Sequence, residues 1–168
     1  MENVTDNTEP KKRPVFLLVL SILSLITIGF GLIGSVVGLI SGPLSDDEME
    51  TTMANSLSSL QALNDSGMSD LSDTFEKVFR MQEYINANFY TQTLITIGGL
   101  VIGLLGVILM MKGNKRGFHL YIIYNIISLI SIYVSVPVSE VPSFVIITNA
   151  IFSALFIFLY SRNLHWMK

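Results

Sequence analysis

The chain has 168 residues, of which 51% are hydrophobic and only 14% charged, with a mean hydropathy of +0.59. A soluble domain carries roughly a quarter charged residues, so this composition excludes an ordinary water-soluble globule. The absence of cysteine excludes disulfides, thiol catalysis and Cys-based metal sites, and the net charge of −3 matters less than where the charges lie.

Residues 1–13 read as a disordered cytoplasmic tail ending in Lys11-Lys12-Arg13. From Pro14 to Ser45 there is no Asp, Glu, Lys or Arg, and 14–42 is predicted as the first transmembrane helix. Such a stretch exceeds the ~20 apolar residues that cross a hydrocarbon core about 30 Å thick. Lipid cannot satisfy backbone polar groups, so it must be helical. Its basic start resembles that of a signal peptide, but the apolar region is longer than the roughly 7–15 residues of a cleaved signal. An uncleaved anchor is expected, stopped at Gly42-Pro43.

Residues 44–90 are predicted as an acidic helical hairpin. Ser45-Asp46-Asp47-Glu48 has the form of a capping box. Met49, Met53, Leu57, Leu60 and Leu63 then recur on one helical stripe. Asn64-Asp65-Ser66-Gly67 is a break, after which Leu71, Phe75, Val78, Phe79, Ile85 and Phe89 share one face of a second helix. Asp73 with Lys77 and Glu76 with Arg80 are spaced as i,i+4 ion pairs. With no Gly or Pro before the second span, one helix is expected from about Ser69 to Met111, on the order of 60 Å long. A hairpin this small has no core of its own. Its stripe packs on itself and the membrane surface, or takes a partner subunit through Met53, Leu57, Leu60, Phe75 and Phe79.

The second span is 91–111. It carries Gly98, Gly99, Gly103 and Gly106, while the first carries Gly29, Gly31, Gly34, Gly38 and Gly42. Small residues let helix backbones approach closely in lipid. Gly31, Gly34, Gly38, Gly42, Gly99, Gly103 and Gly106 are therefore helix-packing candidates. They serve either to join spans one and two or to bind another copy or subunit.

A basic loop, 112–117, follows. Lys112, Lys115 and Arg116 are candidates for an anionic lipid headgroup, and equally satisfy a short positive-inside connection. The third span, 118–136, has a polar stripe of Tyr121, Asn125, Ser128 and Ser135. A short loop, 137–142, leads to the fourth span, 143–161, with Thr148, Asn149 and Ser153, and then a tail, 162–168. Asn125, Ser128, Asn149 and Ser153 are the intramembrane polar candidates, for interhelical hydrogen bonds or for lining a polar cavity.

If the helices alternate direction, Lys11, Lys12, Arg13, Lys112, Lys115, Arg116, Arg162 and Lys168 fall on one side. The other side has Lys77 and Arg80 with most of the acids. The Lys/Arg bias sets orientation, which puts both termini in the cytoplasm and the hairpin outside. Aromatics near the span ends, Tyr84, Phe89 and Tyr90 at one face and Phe118, Tyr121, Tyr160 and Trp166 at the other, read as interfacial anchors.

No span carries an ionisable carboxylate, Lys, Arg or His in its middle, whereas proton relays and ion-coupled transporters generally need one. His119 and His165 sit at the span borders, with no carboxylate spaced to join them on a metal. No catalytic set is assembled, and neither metal nor cofactor is expected. The acidic loop disfavours nucleic acid and anionic lipid.

The entry to span three, KGNKRGFHLY (Lys112 to Tyr121), and the tail YSRNLHWMK (Tyr160 to Lys168) resemble uncharacterised four-span inner-membrane proteins of Bacteroidota-type bacteria. The resemblance implies a bacterial inner-membrane location and no activity. The expected fold is all-α and polytopic, four transmembrane helices with a helical hairpin in the first outer loop. The expected role is a non-enzymatic accessory or assembly subunit of a larger envelope complex, with lipids, membrane subunits or its own copies as partners. A small-solute or lipid transporter using the polar residues of spans three and four is the alternative.

Overall fold

Apolar runs without charge leave the backbone no partner but itself, and each of the four forms helix. The computed structural model describes residues 13–168; residues 1–12, most of the predicted tail, lie outside the described residues. The elements are α1 (Val15–Ser41), α2 (Asp46–Asp65), α3 (Ser69–Ala87), α4 (Phe89–Met111), α5 (Arg116–Ile130), α6 (Ile132–Ser135) and α7 (Ser143–Ser161), with a 3-10 turn at Val138–Glu140 before α7. No strand occurs among the described residues. Val15–Ser41, Phe89–Met111, Arg116–Ser135 and Ser143–Ser161 are long and apolar enough to cross a membrane.

The chain termini of the bundle and the α4–α5 loop gather at one end, which carries Arg13, Lys112, Lys115, Arg116, Arg162 and Lys168. Most of the buried core is there: Leu17, Leu20 and Ile28 of α1, Val107 and Met110 of α4, Tyr121 of α5, Tyr160 of α7 and Met167 of the tail. The α4–α5 turn closes through Gly113 at φ +79°. The Gly113 N–H donates to Met110 O and the Asn114 N–H to Leu109 O, a Schellman cap that a residue with a Cβ resists. The tail crosses this turn: the Lys115 N–H donates to Lys168 O (3.0 Å) and the Lys168 N–H to Gly113 O (2.6 Å).

At the opposite end α2 and α3 pack together, joined through Gly67 at φ +76°. Ser45 and Glu48 cap α2 reciprocally, the Ser45 N–H donating to Glu48 Oε2 (2.9 Å) and the Glu48 N–H to Ser45 Oγ (3.3 Å). Asn86 fastens the start of α2 to the end of α3. Its Oδ1 accepts from the Leu44 N–H (2.8 Å) and its Nδ2 donates to Leu44 O (3.1 Å). Met81 of α3 packs with Val136 and Val141, which seats α3 on the connection between α6 and α7.

Three local features differ from the sequence expectation. The helix expected from Ser69 to Met111 breaks at Asn88 (φ −112°, ψ 26°), where Nδ2 donates to Tyr84 O (3.0 Å). An Asn side chain that bonds nearby backbone offers an alternative to the helix ladder. The third span is divided at Ser131 into α5 and α6, where the Val134 N–H bonds Ser131 O. Tyr121 and Tyr160 are not interfacial: they are 4% and 0% exposed, because their rings meet inside the bundle.

Candidate functional site

Four places bear on function: the seam between α4 and α5, a polar cluster in the core, the basic end, and a cleft between α2 and α3.

Gly99, Gly103 and Gly106 of α4 are buried, and the helix they face is α5. A Cβ at Gly99 would lie 3.1 Å from Ile127, one at Gly103 2.8 Å from the Tyr124 ring, and one at Gly106 2.9 Å from the Tyr121 backbone nitrogen. Gly117 of α5 completes the seam, since its Cβ would fall 2.5 Å from Gly106 O. The sequence reading treated Gly117 only as a loop boundary; its spacing of four from Tyr121 was the available signal. On α1, Gly31 lies against Leu100, a Cβ there falling 3.2 Å from its side chain, and Gly38 faces Phe89 at 3.8 Å. Gly42 takes φ +80° at the helix end, and Gly34 meets nothing within 4 Å. Gly31, Gly99 and Gly103 thus face bulky side chains in the neighbouring span, while Gly106 and Gly117 face each other across the α4–α5 seam.

The core cluster joins α1, α5 and α7. The Tyr160 hydroxyl donates to Ser24 Oγ (3.0 Å), and the Tyr121 and Tyr160 ring centroids are 4.8 Å apart. Asn125 Nδ2 donates to Tyr121 O (2.7 Å) within its own helix. Ser21 Oγ is fully buried with no hydrogen-bond partner among the described residues. Ser21 and Ser24 were not singled out from sequence. Their signal was a 3–4 spacing in phase with Ile28 and Gly31, which marks the buried stripe of α1.

The other polar candidates lie apart from this cluster. Ser128 and Asn149 are half-buried and Ser153 is buried. Nearer the α2–α3 end, Ser135 Oγ donates to Gln92 Oε1 of α4 (3.1 Å), a partner the sequence reading passed over. Lys112, Lys115 and Arg116 are all exposed at the basic end, and of the three only Lys115 pairs its backbone with the tail.

The α2–α3 pair encloses an open cleft of about 1240 Å³, whose lining includes Met49, Met53, Leu57, Leu60, Phe79 and Glu140. Leu60 is buried, but Leu57 is 63% exposed. Phe75 is 44% exposed and lies outside the lining. The side chain of Leu63 lies outside the described set. Arg80 is bridged to Glu76, and that hydrogen bond together with the Glu76 charge raises its already high pKa. The other predicted pair, Asp73 with Lys77, forms no ion pair. No group of three or more His, Cys, Asp or Glu side chains converges as a metal site among the described residues.

Residues 10–141 match the family model described as Domain of unknown function (DUF8777). The chain belongs to this family. The match takes in α1 to α6 and every residue lining the cleft, and ends before α7. No curated protein and no solved structure matches the chain.

Proposed function

We propose that this protein is a non-enzymatic accessory or assembly subunit of a larger envelope membrane complex, held in a bacterial inner membrane with both termini cytoplasmic. In this reading α1, α4, α5–α6 and α7 span the bilayer and the α2–α3 hairpin stands outside.

The observation that carries the proposal is packing surface prepared in the sequence and left uncovered by the fold. Gly34 meets nothing within 4 Å, and beside it Ile33, Val37 and Ile40 are exposed. The α2–α3 cleft is similarly open, with apolar side chains of both helices turned into it. Small residues flanked by exposed apolar ones are what helix association in lipid uses, and a two-helix hairpin gains a core only by adding a third element. The charge-free spans point the same way, because catalysis and proton coupling in a membrane need titratable groups there. The transport alternative would use Asn125 to line a path, yet the Asn125 amide N–H is engaged with Tyr121 O. Lipid headgroup contact at Lys112, Lys115 and Arg116 is compatible with the subunit role.

Affinity purification of the tagged chain from its native membranes in a mild detergent, with mass spectrometry of what co-elutes, tests the proposal. A stoichiometric set of membrane proteins is expected. Recovery of the bare monomer, with the partner set lost at no mutation because it was never there, overturns it.

A further inference from the structure

The α2–α3 cleft has a chemical character that narrows its occupant. Its volume of about 1240 Å³ exceeds the ~300–1,000 Å³ typical of small-molecule pockets, and its lining runs along α2 from Asp46 to Asn64. That length of helix is on the order of 27 Å, matching an occupant helix of about four to five turns. Met49, Met53, Leu57, Leu60 and Phe79 form an apolar strip in the lining, beside buried Ser56 and Ser72, whose hydroxyls bond the Thr52 and Leu60 carbonyls. Met49 and Met53 are unbranched and polarisable, and such side chains repack around varied helical ligands.

The rim is acidic. Asp46, Glu76, Glu83 and Glu140 line the cleft, and its one cation, Arg80, is already bridged to Glu76. Asp46, Glu83 and Glu140 have no ion-pair partner within 4 Å among the described residues, and the Glu140 charge, after that of Glu76, acts on Arg80. They belong to the closed base of the pair, where Asn86 ties α3 to Leu44 and the Val138–Glu140 turn rests on α3. A second copy docking through the same face would set these carboxylates against their own kind, which costs affinity. The chain's own described cations other than Lys77 and Arg80 are at the far end of the bundle.

We infer that the cleft receives a cationic amphipathic helix of a partner membrane protein, its apolar stripe seated on Met49, Met53, Leu57 and Phe79 and its Lys or Arg residues on Asp46, Glu83 and Glu140. Docking of an amphipathic helix in an apolar groove converts the two-helix pair into a three-helix unit. The charges set which helix is accepted and in which direction, since complementary potentials at an interface steer encounter and fix register. The inference rests on the subunit reading above and specifies its partner.

The test is site-specific photocrosslinking of the full chain in native membranes, with p-benzoylphenylalanine in place of Leu57, and sequencing of the captured segment. The expected capture is a helical-period segment bearing at least two Lys or Arg residues. Its yield should fall about tenfold in E83K/E140K, less in E83Q/E140Q, and remain unchanged in D73K, a charge reversal outside the cleft. Comparable detergent elution of all variants establishes that they are folded. Capture of a neutral or acidic segment, of lipid, or of a second copy overturns the inference while the subunit reading stands. Equal loss in D73K overturns it too, because bulk charge would then explain the effect. No capture together with a bare monomer in the purification removes both.

Discussion

A methyl group at Gly106 would press on the backbone of α5, 2.9 Å from Tyr121 N and 3.0 Å from Gly117 O. At Gly117 it would press on the backbone of α4. Backbone inside a helix cannot yield as a side-chain tip can, so the helices must move apart. G106A and G117A should each destabilise the purified protein by about 1–3 kcal/mol, the range for overpacking a filled site. G34A, with nothing within 4 Å, should lie within about 0.5 kcal/mol of the parent. Unfolding by SDS titration in a maltoside detergent measures all three, and a G34A loss as large as that of G106A would refute the assignment of the seam. The buried tyrosines make a related point. Their edge position in the sequence reads as an interfacial belt, but Tyr160 bonded to Ser24 works as a polar tie between α7 and α1, of a kind that averages about 0.6 kcal/mol in membrane proteins.

At the scale of the element, α2 depends on its cap more than on its burial, since few of its side chains are covered. The Ser45 backbone N–H, and after it the Ser45 hydroxyl, hold the Glu48 carboxyl below its ordinary value of 4.5. A lowered pKa in the folded state means the ionised form is favoured by folding. The stabilisation is therefore complete above pH 4.5 and is lost as pH falls through the folded value beneath it. Amide exchange at Met49, whose N–H bonds Ser45 O, should show protection that declines over that acidic window once corrected for intrinsic rates. E48A should lose the decline along with the protection; persistence of the same profile in E48A would remove Glu48 from the explanation. The break between α3 and α4 has a mechanical consequence. Because the helix is broken at Asn88, α3 is a separate element from α4, and Met81 with Val136 and Val141 seats it on the α6–α7 connection.

On the scale of the whole molecule, the division between a basic end and an acidic end supports the proposed topology. The chain carries no cysteine, so single cysteines report position without any background to remove. S59C, on exposed α2 surface, should react with a membrane-impermeant maleimide in intact spheroplasts. K112C, on the exposed basic loop, should react only after permeabilisation. Labelling of K112C from outside would reverse the orientation. The core is also distributed along this axis. Full burial on α1 stops at Ile28, on α5 at Asn125, and on α7 involves Ser153 and Tyr160. Exposed apolar side chains nevertheless run the length of both helices: Phe16, Ile22 and Ile26 as well as Ile33, Val37 and Ile40 of α1, and Phe158 as well as Phe144, Ile147 and Ile151 of α7. In the proposed setting these faces meet lipid or a partner.

How much of this was legible in the chain follows from the range of each interaction. Helix at four long apolar segments is dictated locally, because a charge-free run in lipid has one way to satisfy its backbone. The α2 cap is equally local, as Ser45 and Glu48 are three residues apart and need no third partner. Which glycine face meets which helix was not local. Gly34 and Gly106 look alike in sequence, yet one is open and the other pressed against Gly117, because helix rotation and pairing are set by packing in the assembled bundle. The same holds for Ser24 and Tyr160, separated by 136 positions, and for Gln92 with Ser135. The cleft belongs to this second class: its Met and Leu stripe was written in α2, but its acidic rim exists only because α3 and the Val138–Glu140 turn bring Glu83 and Glu140 to the same edge. Sequence alone determined the four apolar helices, the α2 cap and the segregation of charge, all governed by neighbours a few residues away; tertiary structure decided which surfaces were consumed in packing and which were left open, because that depends on contacts between residues far apart in the chain.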